Sequence, residues 1–438
     1  MRKKRRGLSL GSILTICLTV AVIAGCVFLF TRIGGGISDA SVDAQRMIGA
    51  VHSFMQSAGT EKQPAVTVRT VTVTLAPATQ PPVTAVPVTP APVQNPYEPF
   101  SFSLTAGGLI AFQSEISDSV YNKTDKTLDY QPIVQPIRSK INSDVNLVTL
   151  PQTINTLDRK YSDVIAPGEA AAALQSMGFS QVALGTEHIL DQDRQGAEDT
   201  VSVLSSRGLR CVGVNVSGSS RTQLVQVNGS VIAILSYTDT LTSKSKNTLA
   251  RQNSLLSLYS EDTARADIQS ARNQGVRCVI VCMYWGKQDA AAVTASQKKT
   301  AQALAEMGAD IILGTRPSRA LPMELIYCAG PDGKNHTAFV AYSLGTLLTE
   351  SREAFDICGL LLHMRIRSDE QGVMHFESIE YTPTYIWRQS MEGKTQYRLI
   401  CSNEPPPEGM NDNQKGVMER SLARIQSIME HCPIEERK

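Results

Sequence analysis

From residue 144 to residue 345 short apolar runs alternate with segments of helical periodicity, and this alternation constrains the fold more than any other feature of the chain. "DVNLVTL" (144–150), "QVALG" (181–185), "RCVGV" (210–214), "RCVIVCMYW" (277–285), "DIILG" (310–314) and "AFVAYSLG" (338–345) read as strands. "GEAAAALQSMG" (168–178), "DQDRQGAEDTVSVLSSRG" (191–208), "EDTARADIQSARNQG" (261–275) and "TASQKKTAQALAEMG" (294–308) read as helices that run out into glycine. In "QLVQVNGSVIAILSY" (223–237), Asn228-Gly229 stands between two apolar runs, the signature of a hairpin with a type I′ turn. A strand "FSFSLTAGG" (100–108) precedes this region, and "GLLLHMRI" (359–366) and "MHFESIEYT" (374–382) follow it. Alternating strands and helices with an antiparallel hairpin and a strand-rich end imply an α/β domain with mixed sheets.

Upstream of residue 99 the chain has another character. Positions 8–30, "LSLGSILTICLTVAVIAGCVFLF", carry no charge, and "RKKRR" stands at positions 2–6. A helix of this length crosses a hydrocarbon core of roughly 30 Å. The positive-inside rule then makes residues 1–7 a cytoplasmic tail and 8–31 a single transmembrane signal anchor, with everything beyond it outside the cell. "IAGC" ending at Cys26 is also compatible with a lipoprotein cleavage site, but the apolar run continues past it and favours an uncleaved anchor. Residues 32–98 include "VTVRTVTVTLAPATQPPVTAVPVTPAPVQNP", a Pro/Thr-rich linker whose prolines favour extended chain. The expected partner of the N-terminus is therefore the membrane. A net charge of +1, with basic residues concentrated at positions 2–6, gives no reason to expect nucleic acid.

Seven cysteines follow the anchor, at 211, 278, 282, 328, 358, 401 and 432, without a C-x-x-C pair. Several lie inside apolar runs and read as small buried hydrophobes rather than a disulfide framework or a zinc site.

In α/β proteins chemistry gathers in the loops after strand carboxyl ends. Six such stretches stand out: "AGG" (106–108), "TLPQT" (149–153), "GTEHILDQDRQG" (185–196), "YWGKQ" (284–288), "GTRPSR" (314–319) and "YSLGT" (342–346). Taken as a series, they resemble the bacterial capsule-synthesis family, also called CapA or poly-γ-glutamate synthesis proteins. The resemblance covers roughly residues 100–400. It implies a calcineurin-like metallophosphatase fold, an α/β/β/α sandwich with mixed sheets. It also implies a CapA-like domain at 99–402 and leaves 403–438 as a C-terminal amphipathic helix.

The framework of the family's motifs persists at Trp285, Gly286, Gly314, Pro317 and the Ser343-Leu344-Gly345 turn. The positions that the resemblance assigns to metal ligands carry Gly108, Thr149, Leu150, Pro151, Thr186, Glu187, Tyr284, Gln288, Thr315, Arg316 and Ser318, and only His188 and Asp191 are retained. Two divalent ions need more donors than that, and a fixed arginine charge in the ligand loop repels a cation. The expectation is a site with no metal, no cofactor and no catalytic residue. Ligand-binding candidates are Glu187, His188, Asp191, Tyr284, Trp285, Arg316 and Arg319, with the arginine forks suited to carboxylates. Bland alternatives stay open. Asp191 stands where it would cap the following helix, Tyr284 and Trp285 end a buried strand, and both arginines are compatible with a solvated loop.

Three roles follow. The resemblance implies support for synthesis or export of an anionic surface polymer of the poly-γ-glutamate type, alongside capsule-synthesis membrane proteins. A hydrolase with a rearranged site would use His188, Asp191, Glu187, Asp193 and His336. A structural envelope component would assemble through the helix at 413–432.

Overall fold

The computed structural model describes residues 98–155, 161–252, 254–391 and 393–437. The basic tail 1–7, the expected anchor 8–31 and the linker up to residue 97 lie outside the described residues. Among the described residues no helix is long and apolar enough to cross a membrane.

The domain opens with β1 (Phe100–Ile110). Then come β2 (Val145–Thr149), α1 (Glu169–Met177), β3 (Gln181–Ala183), α2 (Asp193–Ser206) and β4 (Arg210–Val212). A hairpin of β5 (Thr222–Val227) and β6 (Ser230–Thr238) leads to α3 (Ser243–Arg251) and α4 (Glu261–Asn273). Next are β7 (Cys278–Tyr284), α5 (Ala295–Glu306) and β8 (Ile311–Gly314). The strand-rich end holds β9 (Ala320–Ala329), β10 (Asn335–Leu344), β11 (Cys358–Ser368), β12 (Met374–Met391) and β13 (Lys394–Cys401). Helix α6 (Asp412–Met429) follows.

These strands build two mixed sheets, ordered β13-β12-β11-β1-β2-β3-β4 and β5-β6-β7-β8-β10-β9. In the first, β1 to β4 are parallel, and β11, β12 and β13 add antiparallel on the other side of β1. In the second, β6, β7, β8 and β10 are parallel between the antiparallel edges β5 and β9. The expected hairpin turn is present, with Asn228 at φ 46° and Gly229 at φ 79°.

Period-two alternation sets the layers. Ile232, Ile234, Cys278, Ile280 and Cys282 meet Phe102, Leu104, Ala106 and Leu147 of the other sheet. Their sequence neighbours Ala233, Leu235, Val279, Val281 and Met283 pack against residues of α4 and α5. On the first sheet, Val148 and Val182 share a core with Leu174 and Met177 of α1 and Val201 and Leu204 of α2. The order is helix, sheet, sheet, helix. "RCVIVCMYW" is apolar without interruption because both faces of β7 are covered. All seven described cysteines are free, and five are buried.

The segment 403–437 is part of this domain rather than an appendage. Ile425 and Met429 of α6 enter the core between the sheets, and Met418 joins the core of the first sheet's outer face. Beyond α6, Cys432 Sγ accepts from the Met323 N–H at 3.2 Å, and Glu435–Glu436 pairs with β12.

Candidate functional site

The parallel strands of both sheets end on one side of the molecule, and their loops enclose a cleft of about 320 Å³. Its lining includes Gln113 after β1, Pro151 after β2, Glu187 and His188 after β3, Gln288 after β7 and Arg316 after β8. Asp163, Tyr284, Ser318, Thr346 and Thr349 complete its polar wall.

The second sheet's loops are held together locally. Ser343 Oγ donates to the Pro317 carbonyl at 2.7 Å and accepts from the Gly345 N–H at 3.1 Å. Thr346 Oγ1 donates to the Ser318 carbonyl at 2.8 Å. Arg316 Nη1 donates to the Gly286 carbonyl at 2.9 Å, where Gly286 has φ 81°. Gly286, Pro317, Ser343 and Gly345, which persist in sequence, therefore form hydrogen-bonded supports around Arg316.

Glu187 is the hub between the sheets. Its Oε1 accepts from the Tyr284 hydroxyl at 2.9 Å and lies 3.4 Å from Arg316 Nη2. His188 Nε2 is 3.8 Å from the same oxygen. The Arg316 guanidinium lies 5.4 Å from the Tyr284 ring centroid. The Arg316 and Glu187 side chains are 13% and 16% exposed, so water screens this pair only partly. Burial, with Glu187 alongside, pushes the Tyr284 phenol far above its ordinary range, so it donates as a neutral hydroxyl.

Asp191 is closed into a second network. His188 Nδ1 lies 2.7 Å from its Oδ2. Ser245 Oγ donates to Oδ1 at 2.8 Å, and Thr242 Oγ1 donates to the same oxygen. Burial works to raise the Asp191 pKa, but the hydrogen bonds from Thr242, His188 and Ser245 outweigh it and hold the carboxyl below its usual range. Asp191 does not cap α2: the cap position is Gln192, which makes no side-chain cap bond. It instead accepts from Thr242, the residue that caps α3. Asp239 accepts from the Gly286 N–H at 3.2 Å, and burial raises its pKa despite Arg316 nearby.

Of the residues singled out from sequence, Glu187, His188, Asp191, Tyr284 and Arg316 are brought together. Trp285 is not. It is 1% exposed, stacks on Tyr342 and donates from Nε1 to the Tyr342 carbonyl at 2.9 Å, because its strand is buried on both faces. Arg319 does not line the cleft either and packs on Phe355, 4.4 Å from the ring centroid. Asp193 pairs with Arg251 at 2.6 Å, and His336, in β10, places Nε2 2.9 Å from the Ala309 carbonyl. Neither joins His188. Among the described residues no three His, Cys, Asp or Glu side chains are grouped to hold a metal ion. Sequence reading missed Asp239, Thr242 and Ser245. The loop after β6 is a strand-end loop too, and its Thr/Ser content was the available signal.

Gly108 occupies the position that the resemblance gives to a ligand aspartate. A Cβ there would fall 2.0 Å from the Gly345 carbonyl oxygen, so the close approach of two backbones excludes a side chain. Gly108→Asp is therefore expected to lower stability by about 3 kcal/mol in urea titration, without adding a ligand. An unchanged midpoint would show that the two backbones separate freely.

The fold and cleft define an α/β/β/α protein whose strand-end loops carry a closed hydrogen-bonded network. Residues 103–351 match the family described as bacterial capsule synthesis protein PGA_cap, and the chain belongs to that family. It is 25% identical over 241 residues to the PGA biosynthesis protein CapA of Bacillus subtilis (strain 168), covering 54% of this chain and 60% of that protein. It is 27% identical over 157 residues to the capsule biosynthesis protein CapA of Bacillus anthracis, covering 35% and 38%. The chain thus spans less than two thirds of the length of either relative. Among solved structures it is similar to the NAD nucleotidase of Haemophilus influenzae, with TM-score 0.42 and 13% identity over 78% of this chain and 64% of that one. It is also similar to the calcineurin-like phosphoesterase YfkN of Bacillus subtilis, with TM-score 0.38 and 9% identity over 75% and 99%.

Proposed function

We propose that this protein is a membrane-anchored, outward-facing CapA-like component that supports synthesis or export of an anionic surface polymer without two-metal chemistry. Residues 8–31 hold it in the membrane, and capsule-synthesis membrane proteins are its working partners. Family membership and the two CapA relatives support the capsule role.

The metal-free reading rests on one observation: the acidic side chains of the loop after β3 already have partners. Glu187 is engaged by Tyr284 and Arg316, and Asp191 by His188, Thr242 and Ser245. A pair of divalent ions about 3.5–4 Å apart needs several free donors converging on it. These residues do not fit such a centre, and Arg316 adds a fixed positive charge in the cleft. The same geometry qualifies anion binding there. A polymer carboxylate reaches Arg316 only by displacing Glu187.

The test is metal content. The full chain, purified without chelator and offered excess Mn²⁺ and Zn²⁺, is expected to retain far less than one ion per chain by elemental analysis. Retention of about two ions would restore the hydrolase reading.

A further inference from the structure

We infer that Arg319 and Arg424, packed against Phe355, form a binding site for the oxyanion groups of a linear polyanion, with carboxylate the preferred group. Both guanidinium carbons lie 4.4 Å from the centroid of the Phe355 ring. The ring is 37% exposed, and both arginine side chains are partly exposed. Two charges that share one ring in this way are at most about 9 Å apart, close to one Debye length at physiological salt.

Such a pair is unfavourable unless something neutralises it. Among the described residues neither Arg319 nor Arg424 has a carboxylate within 4.0 Å. The adjoining Asp356 accepts from Ser351 Oγ at 2.8 Å and keeps its charge, but it forms no ion pair with either guanidinium. Arg420, exposed and one helical turn before Arg424 on α6, also lacks a carboxylate within that distance. Arg316 contrasts with them, since Glu187 already answers its charge.

The clamp is also held in place before any ligand arrives. Arg424 Nη1 donates to the Ala354 carbonyl at 2.7 Å, and the Ser318 carbonyl beside Arg319 accepts from Thr346. Stacking on a ring leaves the Arg319 N–H edge, and the Arg424 donors other than those turned to the Ala354 carbonyl, open to a carboxylate or phosphate. A chain with repeated anionic groups satisfies two or three such forks at once, which a single small anion cannot. Assigning the ligand to a polymer rests on the capsule reading; the clamp itself rests on the geometry.

The test uses the full chain and two labelled probes, poly-L-glutamate and inorganic polyphosphate, followed by fluorescence anisotropy at low and high salt. Wild type is expected to bind poly-L-glutamate at least as tightly as polyphosphate. Arg319→Glu with Arg424→Glu is expected to weaken binding at least tenfold. Lys298→Glu with Lys299→Glu makes the same change in net charge on the exposed face of α5 and is expected to change it less than twofold. The milder Arg319→Gln with Arg424→Gln, at unchanged melting temperature, is expected to weaken it about fivefold and guards against misfolding. Equal losses in both charge-reversal pairs, or no binding by wild type, would overturn the site. Binding of polyphosphate alone would overturn the carboxylate preference. Loss of binding in vitro with normal surface polymer in cells would overturn the capsule reading and leave the site standing.

Discussion

A chain ending at residue 410 is expected to be recovered unfolded or aggregated. Helix α6 buries Met418, Ile425 and Met429, and the last two belong to the core between the sheets. At about 1.5–3 kcal/mol per buried side chain, removing three costs roughly 5–9 kcal/mol. That approaches the whole stability of a typical domain, about 5–15 kcal/mol. The cut also removes Cys432, which accepts from the Met323 N–H, and the Glu435–Glu436 pairing with β12. This outcome counts against reading the helix as an assembly element that could be deleted from an intact domain. Urea titration followed by circular dichroism decides it. A truncated chain that unfolds cooperatively near the full-length midpoint would mean that the core closes without α6.

Acidification from pH 7.5 to pH 5 is expected to cost roughly 2 kcal/mol through His363 alone. This side chain lies on β11 and is 5% exposed. Its Nε2 is 2.9 Å from Thr382 Oγ1, and its Nδ1 is 3.2 Å from Thr105 Oγ1. Burial, with smaller contributions from Arg437 and Lys140, pushes its pKa down to about 3. The unfolded chain therefore takes up this proton near pH 6.5, whereas the folded chain does so only near 3. The stabilisation is fully present above the unfolded value and is lost as pH falls through that window. His363→Gln removes the titration, so its stability relative to wild type should rise by roughly 2 kcal/mol between the two pH values. A constant difference between the two proteins would show that the ring is protonated while folded.

The layer order was legible in sequence because β6, β7 and β8 are apolar on both faces and their helices run out into glycine. Helix α3 was not. "SKSKNTLAR" has no apolar stripe, and the helix is fixed by its Thr242 cap and by Asp191 of the loop after β3. Edge strand β9 was also missed, because its alternation is interrupted by Pro322 and its second half is only partly buried. At the cleft, residue types and loop order placed Glu187, His188, Tyr284 and Arg316 together. They could not separate Arg316 from Arg319, which stand three apart in one loop and point to different surroundings. Only the position of Phe355 divides them. Trp285 misled for a related reason: a tryptophan at a strand end serves the core or a cleft equally well until its covering layer is known.

Glu187 follows a strand of one sheet and Arg316 follows a strand of the other, so their contact spans a seam rather than a loop. The mouth of the cleft is therefore gauged by the spacing of two rigid sheets. A methyl group added or removed among Ile234, Ile280 and Leu104, well inside the sandwich, would act on that mouth as a shim acts on a hinge. Residues that never meet a ligand would still set the width of the opening it must enter.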